Sequence, residues 1–412
     1  MSLREEFVML AHHEDANISR LCRQFNISRK TGYKWIDRQL QEKSLSDHSR
    51  RPLCTPRRSA EKIEQAVVQV RRQHPAWGGR KIRRVLINEG HEPGALPAPS
   101  TIGQILLRRG LIDLSKSAHH RPFTRFEHAH PNDLWQMDFK GHVPLLSGGR
   151  CHPLTVLDDH SRFNLSLRAC GDETRATVEL ILIDLFQLFG QPLRILCDNG
   201  PPWGSGGGEP YTALGVWLMR HGIAVTHGRP YHPQTQGKEE RFHRTLGDEL
   251  LKGREAARDL IEAQQRFDPW RDEYNQVRPH EAIAMATPAT LYRPSPRSYD
   301  PALPPPQYDQ HVVVRKVDAI GKISYRGRDW RIGKAFAGQS IGLAPAEVDG
   351  ILRVLFAEHE IGRLDLRSQE NKAMSKPPCG AGPWVATLPK APHREEQSVT
   401  HVSEHVSPMS PV

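Results

Sequence analysis

Long apolar runs are missing from this chain of 412 residues, and that excludes a helix able to span a bilayer. A secretory signal is missing too, because the opening MSLREEFVML is charged and amphipathic. Together these absences predict a soluble, cytoplasmic protein with no membrane partner. Cysteine is scarce and scattered. Cys22, Cys54, Cys151, Cys170, Cys197 and Cys379 include no CxxC pair, which argues against a disulfide framework or a zinc finger and predicts reduced, mostly buried thiols. His119, His120, His128 and His130 cluster, but without paired cysteines they lack zinc-ligand spacing.

Charge is present but unevenly placed. The net charge is +10; residues 1–130 hold 24 Lys/Arg against 13 Asp/Glu, whereas residues 131–412 hold 33 against 34. A basic module joined to a neutral one predicts a polyanion-binding region attached to a part with another task.

The first segment reads as helix-turn-helix. Ile18, Leu21, Cys22 and Phe25 recur at helical spacing, Asn26–Ser28 supply a turn, and Ser28 can cap a second helix. That helix carries Arg29, Lys30, Lys34 and Arg38 around an expected apolar stripe of Tyr33, Ile36 and Leu40. In such a unit the second helix enters the major groove of DNA, so these four cations are expected DNA contacts. A second helical group follows, with Ile63, Val67 and Val70, then Ile82 and Leu86, then Ile102, Ile105 and Leu106. Ser100 or Thr101 is the expected cap of its last helix and Gly110 its stop, with Arg108 and Arg109 as DNA contacts near its end.

From about residue 131 the period shortens to that of strands. Three strands, a helix, the strand LRILC, a helix, the strand IAVTH and a long helical region over 238–276 describe a mixed α/β sheet with helices on its faces. Asp138 lies on the first strand of this core, and Asp198 directly follows the buried run RILC. A carboxylate at a strand end before a turn can point into a cleft from a rigid mount. A third one on a neighbouring helix would complete an oxygen cage for a hard cation such as magnesium, and Glu239 and Glu240 are placed to supply it. An aspartate after a strand is more often a plain turn former, and Asp158 and Asp159 in LDDHSR read as a hairpin turn.

The ordered segments WQMDFKG, LDDHSRF, DNGPPW, YHPQTQGKEERFHRTL and YNQVRPHEAI with TPATLY resemble the integrase catalytic core of DDE transposases. The nearest kind is the insertion-sequence transposase with N-terminal helix-turn-helix modules, related in its core to retroviral integrases. The resemblance implies an RNase H-like core whose Asp138, Asp198 and Glu240 hold two Mg²⁺ or Mn²⁺ ions. It chooses Glu240 because that glutamate directly precedes RFHRT, although Glu239 shares the inward stripe of Phe242 and Leu246. Between Asp198 and Glu240 lie 41 residues where the family has about 35, a surplus that the flexible GSGGGEP insertion can loop out. Trp203 replaces the commoner phenylalanine. Lys238, Arg241 and Arg244 are expected at DNA phosphates, His232 and Gln234 in the loop before the helix, and Arg278 and His280 in a structural or backbone-contacting role.

The expected architecture is multidomain: all-α helix-turn-helix modules at 1–48 and 49–125, the α/β core at 126–295, a Pro-rich linker at 296–309, a small β barrel at 310–368 and a disordered tail at 369–412. The expected function is DNA transposition: binding terminal inverted repeats, exposing 3′-hydroxyls and joining them to target DNA, as a homo-oligomer on DNA in the bacterial nucleoid. The alternatives are a catalytically silent DNA-binding regulator derived from a transposase and a metal-dependent nuclease of the same fold.

Overall fold

The computed structural model describes residues 2–47, 58–112, 127–204, 210–227, 237–368 and 373–375. They form two compact units, Met1–Ala60 and Glu61–Val412. The second helical group, the α/β core, the Pro-rich segment and the β domain therefore pack as one unit.

The first unit has three helices, α1 (Leu3–Ala11), α2 (Ile18–Gln24) and α3 (Arg29–Leu40). Ser2 and Glu5 cap α1 reciprocally, and Asn17 and Ser28 cap α2 and α3 through their side chains. The core gathers Phe7, Val8 and Cys22 with Leu21, Phe25, Trp35 and Ile36. The expected stripe on α3 is corrected. Tyr33 and Leu40 are 57% and 69% exposed, and the buried side of α3 is Gly32, where a Cβ would stand 2.7 Å from Cys22 Sγ. Glycine permits that close approach, so the helix turns inward on its smallest residue.

The second unit begins with α4 (Glu61–Gln73), α5 (Gly79–Asn88) and α6 (Pro99–Arg108). Their core is Val67, Val70, Trp77, Ile82, Val85, Leu86, Leu96, Ile102, Ile105 and Leu106. The expected cap of α6 moves: Pro99 occupies the first helical position and Ala98 the cap, because proline needs no amide partner there. Gly110, at φ +68, follows the helix as expected.

The α/β core contains β1 (Trp135–Phe139), β2 (Val143–Pro144), β3 (Arg150–Asp158), β4 (Asn164–Cys170), α7 (Arg175–Phe189), β5 (Arg194–Cys197), α8 (Ala213–Arg220), β6 (Ala224–His227), α9 (Gly237–Leu246), α10 (Leu260–Gln276) and α11 (Pro288–Leu291). β3 pairs antiparallel with β1, β2 and β4, while β5 pairs parallel with β1 and β6. Alternation along β1 divides the sheet. Trp135 and Met137 enter a core with α7 and α8, while Leu157 and Leu167 meet Phe242 and Leu246 of α9 and Trp270 of α10 on the other side. The helical region expected over 238–276 is broken after a π turn at Gly247–Leu251, and Gly253 at φ +71 reverses the chain before Asp259 caps α10.

The β domain has β7 (Val313–Lys316), β8 (Lys322–Tyr325), β9 (Arg328–Arg331), β10 (Ser340–Pro345), β11 (Ile351–Phe356) and β12 (His359–Asp365). Its sheets are the four-stranded β12-β11-β10-β7 and the hairpin β8-β9. Both cover one core of Val317, Ile323, Trp330, Phe336, Ile341, Val354 and Phe356. Residues 373–375 bridge the two sheets through Arg331↔Ala373 and Arg363↔Ser375, so these three residues of the expected disordered tail are held by backbone pairing. The proline-rich segment is also docked: Arg297 donates to the carbonyls of Pro192, His221 and Gly222, and Arg220 donates to those of Leu303 and Pro304. No helix among the described residues is long and apolar enough to cross a membrane.

Candidate active site

Period-two alternation creates the site. Asp138 and Thr155 are cross-strand partners on β1 and β3, and they share the sheet face that α9 covers. β1 and β5 run parallel with Trp135 opposite Ile195 and Gln136 opposite Leu196. Continuing that register sets Asp138 beside Asp198 at the carboxyl ends of both strands.

Both aspartates are shifted upward, and Asp138 feels the charge of Asp198. Burial, then the charge of Asp198, pushes the Asp138 carboxyl up to about 7. Burial also raises Asp198, opposed by the Gly200 amide, which donates to its Oδ1 at 3.0 Å, and by the charge of His227. Behind Asp198, His227 Nδ1 lies 2.7 Å from its backbone oxygen. Trp203 is buried and stacks on Phe139, fixing the turn after Asp198 against the strand that carries Asp138.

On α9 the two glutamates separate. Glu239 is 1% exposed and receives the Thr155 hydroxyl at 3.1 Å; its Oε1 is buried with no hydrogen-bond partner among the described residues. Burial and then Asp138 raise its carboxyl well above the ordinary range. His243, one turn on, lies between them: its Nε2 is 2.8 Å from Thr155 Oγ1 and 3.7 Å from Glu239, and its Nδ1 is 3.8 Å from Asp138 Oδ2. Burial holds this imidazole neutral, pulling it down to about 3. Glu240 lies a step around the helix and is exposed. The structure thus brings Asp138 close to Asp198 and to Glu239, while the expected Glu240 keeps an exposed carboxylate on the next position of α9. Glu239 points inward because it shares the buried stripe of Phe242 and Leu246.

Among the described residues, no three His, Cys, Asp or Glu side chains form a ready metal cage. Asp138 and Asp198 nonetheless fit a hard cation. They are two oxygen donors whose proton affinity is raised, Asp138 by burial and the charge of Asp198 and Asp198 by burial, and a divalent ion would replace the proton as countercharge.

The expected DNA contacts divide. Arg29, Lys30 and Lys34 are exposed on α3, and Arg38 is half-buried with a hydrogen bond to the Ser46 carbonyl. Arg241 and Arg244 are exposed on α9. Three of the expected contacts are engaged with acids. Arg108 and Arg109 are held by Glu61 and the fully buried Glu64, at 2.8–3.1 Å. Lys238 is 13% exposed and ion-paired with Asp159, whose side chain is fully buried. All three cations neutralise buried or neighbouring carboxylates.

The LDDHSR segment is structural, as expected from its turn pattern. Asp158 accepts from the Asn132 amide and from Ser161, and Asp159 from the His128 amide and Gln136. Arg278 and His280 are buried, with Arg278 bonded to Glu249 at 3.0–3.1 Å. His119, His120, His232, Gln234 and most of GSGGGEP lie outside the described residues. Thr155, His243, His227 and Lys140, whose charge reaches Asp138 and His243, were missed from sequence. Only the cross-strand position of Thr155 and the turn-later spacing of His243 could have signalled them.

Residues 128–233 and 221–288 match models of the integrase core domain, and residues 312–372 match the C-terminal domain of IS481 family transposases. Residues 3–52 match a helix-turn-helix domain and 31–106 a homeodomain-like domain. A chain assigned as transposase of insertion sequence element IS5376 from Geobacillus stearothermophilus is 24% identical over 91% of this chain and 90% of its own. An uncharacterized 39.2 kDa protein of insertion element IS476 from Xanthomonas euvesicatoria is 31% identical over 39% of this chain, which spans 44% of that relative. The HTLV-2 integrase catalytic core domain, solved in complex with magnesium, is 18% identical over 40% of this chain and 97% of its own, with TM-score 0.30.

Proposed function

We propose, for a chain built as an insertion-sequence transposase with helix-turn-helix domains and an integrase core, that it binds terminal inverted repeats, exposes their 3′-hydroxyls and joins them to target DNA. The observation that carries this reading is the pairing of Asp138 and Asp198 on adjacent parallel strand ends, beneath the first turn of α9. These aspartates would hold two Mg²⁺ or Mn²⁺ ions with Glu240. Both Glu239 oxygens are buried, one of them against Thr155, so Glu240 offers the accessible carboxylate of the pair. When bound, the cations would activate water or a 3′-hydroxyl and neutralise charge on the leaving oxygen.

The chain's own residues supply position. His243 and Thr155 fix the side of Asp138 that faces α9, and the Gly200 amide orients Asp198. Arg241 and Arg244 flank the site on α9 as candidate phosphate contacts, while Arg29, Lys30, Lys34 and Arg38 present α3 to the groove. Two DNA ends must be handled together, so the working form is a homo-oligomer on DNA.

The test is incubation with labelled terminal-repeat DNA and Mn²⁺ or Mg²⁺. Wild type is expected to cleave and join; Asp198→Asn and Glu240→Gln are expected to bind DNA yet lose at least 100-fold in joining, the scale of a lost electrostatic group. DNA binding without cleavage by wild type would overturn the enzyme reading. Full activity of Glu240→Gln, with Glu239→Gln inactive but folded and unable to bind Mn²⁺, would move the third ligand to Glu239.

A further inference from the structure

The helical group α4–α6 meets the α/β core through charged and polar contacts. His74 Nδ1 lies 2.9 Å from Glu273 Oε1, in the C-terminal half of α10. Arg80 of α5 pairs with Glu281 at 3.3 Å, and Arg84, one turn further on, donates to the Ala284 carbonyl at 3.3 Å. Lys81 follows Arg80 and stands three positions before Arg84, so these contacts turn it toward the core. There it is half-buried, and its ammonium has no hydrogen-bond or ion-pair partner among the described residues.

The acids nearest to Lys81 are engaged elsewhere. Glu249 Oε1 accepts two bonds from Arg278, at 3.0 and 3.1 Å, and Glu281 faces Arg80. Burial, then the charge of Arg278, draws the Lys81 ammonium down to about 8, against the opposing pull of Glu249 and Glu281. Arg241 of α9 adds to the repulsion, and His280, held neutral by burial and then by Arg278, also feels Lys81. On its own helix, Arg80 and Arg84 are cations as well. α5 also begins without a side-chain cap bond and without an acid in its first turn, so its positive end adds to the excess. Lys81, Arg278 and Arg241 thus bring cations from three segments to one place, and Arg241 directly follows Glu240. A half-buried ammonium without a carboxylate is unfavourable in the free chain, and an anion that bonds to it there removes the penalty.

We propose that Lys81, carried by the second helical group, contacts a DNA phosphate beside Arg241 and extends the phosphate-binding side of α9. The identity of the anion rests on the transposase reading, which makes it a phosphodiester of the DNA being processed. The helical group then serves the catalytic core directly, by supplying a cation near the carboxylates from a distant segment of the chain. Lys81 is a positioning residue: it holds the strand and takes no part in bond exchange.

The experiment measures binding of the full chain, without added metal, to a fluorescent duplex ending in the terminal repeat. Wild type is compared with Lys81→Met and Lys81→Arg. Loss of one phosphate contact is expected to lower the slope of log affinity against log salt by about 0.9 in Lys81→Met and to leave it intact in Lys81→Arg. DNA favours the charged ammonium, so wild-type affinity should fall about tenfold from pH 7 to pH 9, as Lys81 of the free chain deprotonates above about 8. Both variants should lose that fall, because neither side chain titrates there. Lys81→Met should unfold no earlier than wild type, since it removes an unpartnered cation; should methionine disturb the docking, Lys81→Arg keeps the pH readout. Equal slopes in wild type and Lys81→Met, or a pH-dependent fall retained in both variants, would overturn the proposal. Inorganic phosphate that stabilises wild type but not Lys81→Met, with equal duplex binding by the two, would assign the place to a free anion and overturn the DNA contact. If Lys81→Met loses its slope while wild type never joins DNA ends, the phosphate contact stands and the transposase reading fails.

Discussion

Replacing Lys238 with methionine removes an ammonium that is 13% exposed while keeping most of its stem. Its partner Asp159 is fully buried and would be left with the His128 amide at 2.9 Å and Gln136 Nε2 at 2.6 Å. Removing one member of a buried ion pair costs about 3–5 kcal/mol, and those two remaining donors place this case near about 3 kcal/mol. At about 2 °C per kcal/mol for a large unit, thermal unfolding should fall by about 6 °C. Burial outweighs the pull of Asp159 and draws the Lys238 ammonium down to about 8, so the intact pair adds little net stability. The double variant Lys238→Met/Asp159→Asn should therefore recover most of the loss. The assay is denaturant unfolding of both variants beside a salt titration of DNA affinity. A single variant that keeps its stability within about 0.5 kcal/mol, the range of an ordinary surface change, and instead loses one phosphate contact would refute the reasoning and return Lys238 to the DNA surface.

Asp138→Asn should stabilise the metal-free chain at pH 8. The folded carboxyl, near 7, lies above its unfolded value near 3.8, so between those values the folded state holds the extra proton and stability falls as pH rises. The gain should approach about 4 kcal/mol at pH 8 and vanish near pH 4, measured by unfolding in EDTA; a gain independent of pH would contradict the coupling. Gly32→Ala should destabilise the first unit by about 1–3 kcal/mol, because the new methyl meets Cys22 Sγ at 2.7 Å and Phe7 Cζ at 2.8 Å. Its thermal transition and terminal-repeat affinity should fall together, and an unchanged transition would show that α3 packs otherwise.

Element types were legible where one periodicity dominated. Ser28 caps α3 as expected, Ile102, Ile105 and Leu106 are buried as expected, and the β-branched runs of the last domain are strands. Legibility failed where a small residue or a distant acid decided the outcome. Hydrophobicity favoured Tyr33 and Leu40 for the inner side of α3, yet close packing selected Gly32. The ion pairs of Arg108, Arg109 and Lys238 were not legible because their acids, Glu64 and Asp159, are 44, 45 and 79 residues away in the chain. Cation density along a sequence marks a DNA surface only after such long-range pairs have been subtracted.

The same subtraction sharpens the adjacent glutamates. On a helix, neighbours are about 100° apart, so Glu239 and Glu240 point in different directions, one buried and one exposed. Phe242 and Leu246 fix which side is inward, and Glu239 shares it. Spacing could thus say which glutamate is buried, but burial and metal binding make different demands. A ligand to a cation that also meets DNA must expose an oxygen to the cleft, whereas a buried acid needs hydrogen-bond partners. Glu239 has Thr155 and nearby His243, and Thr155 stands opposite Asp138 because β3 pairs with β1 in this register. A helix pattern contains no information about that strand register. The division of labour in which Glu239 braces the site and Glu240 coordinates therefore becomes arguable only when helix phase and sheet pairing are read together.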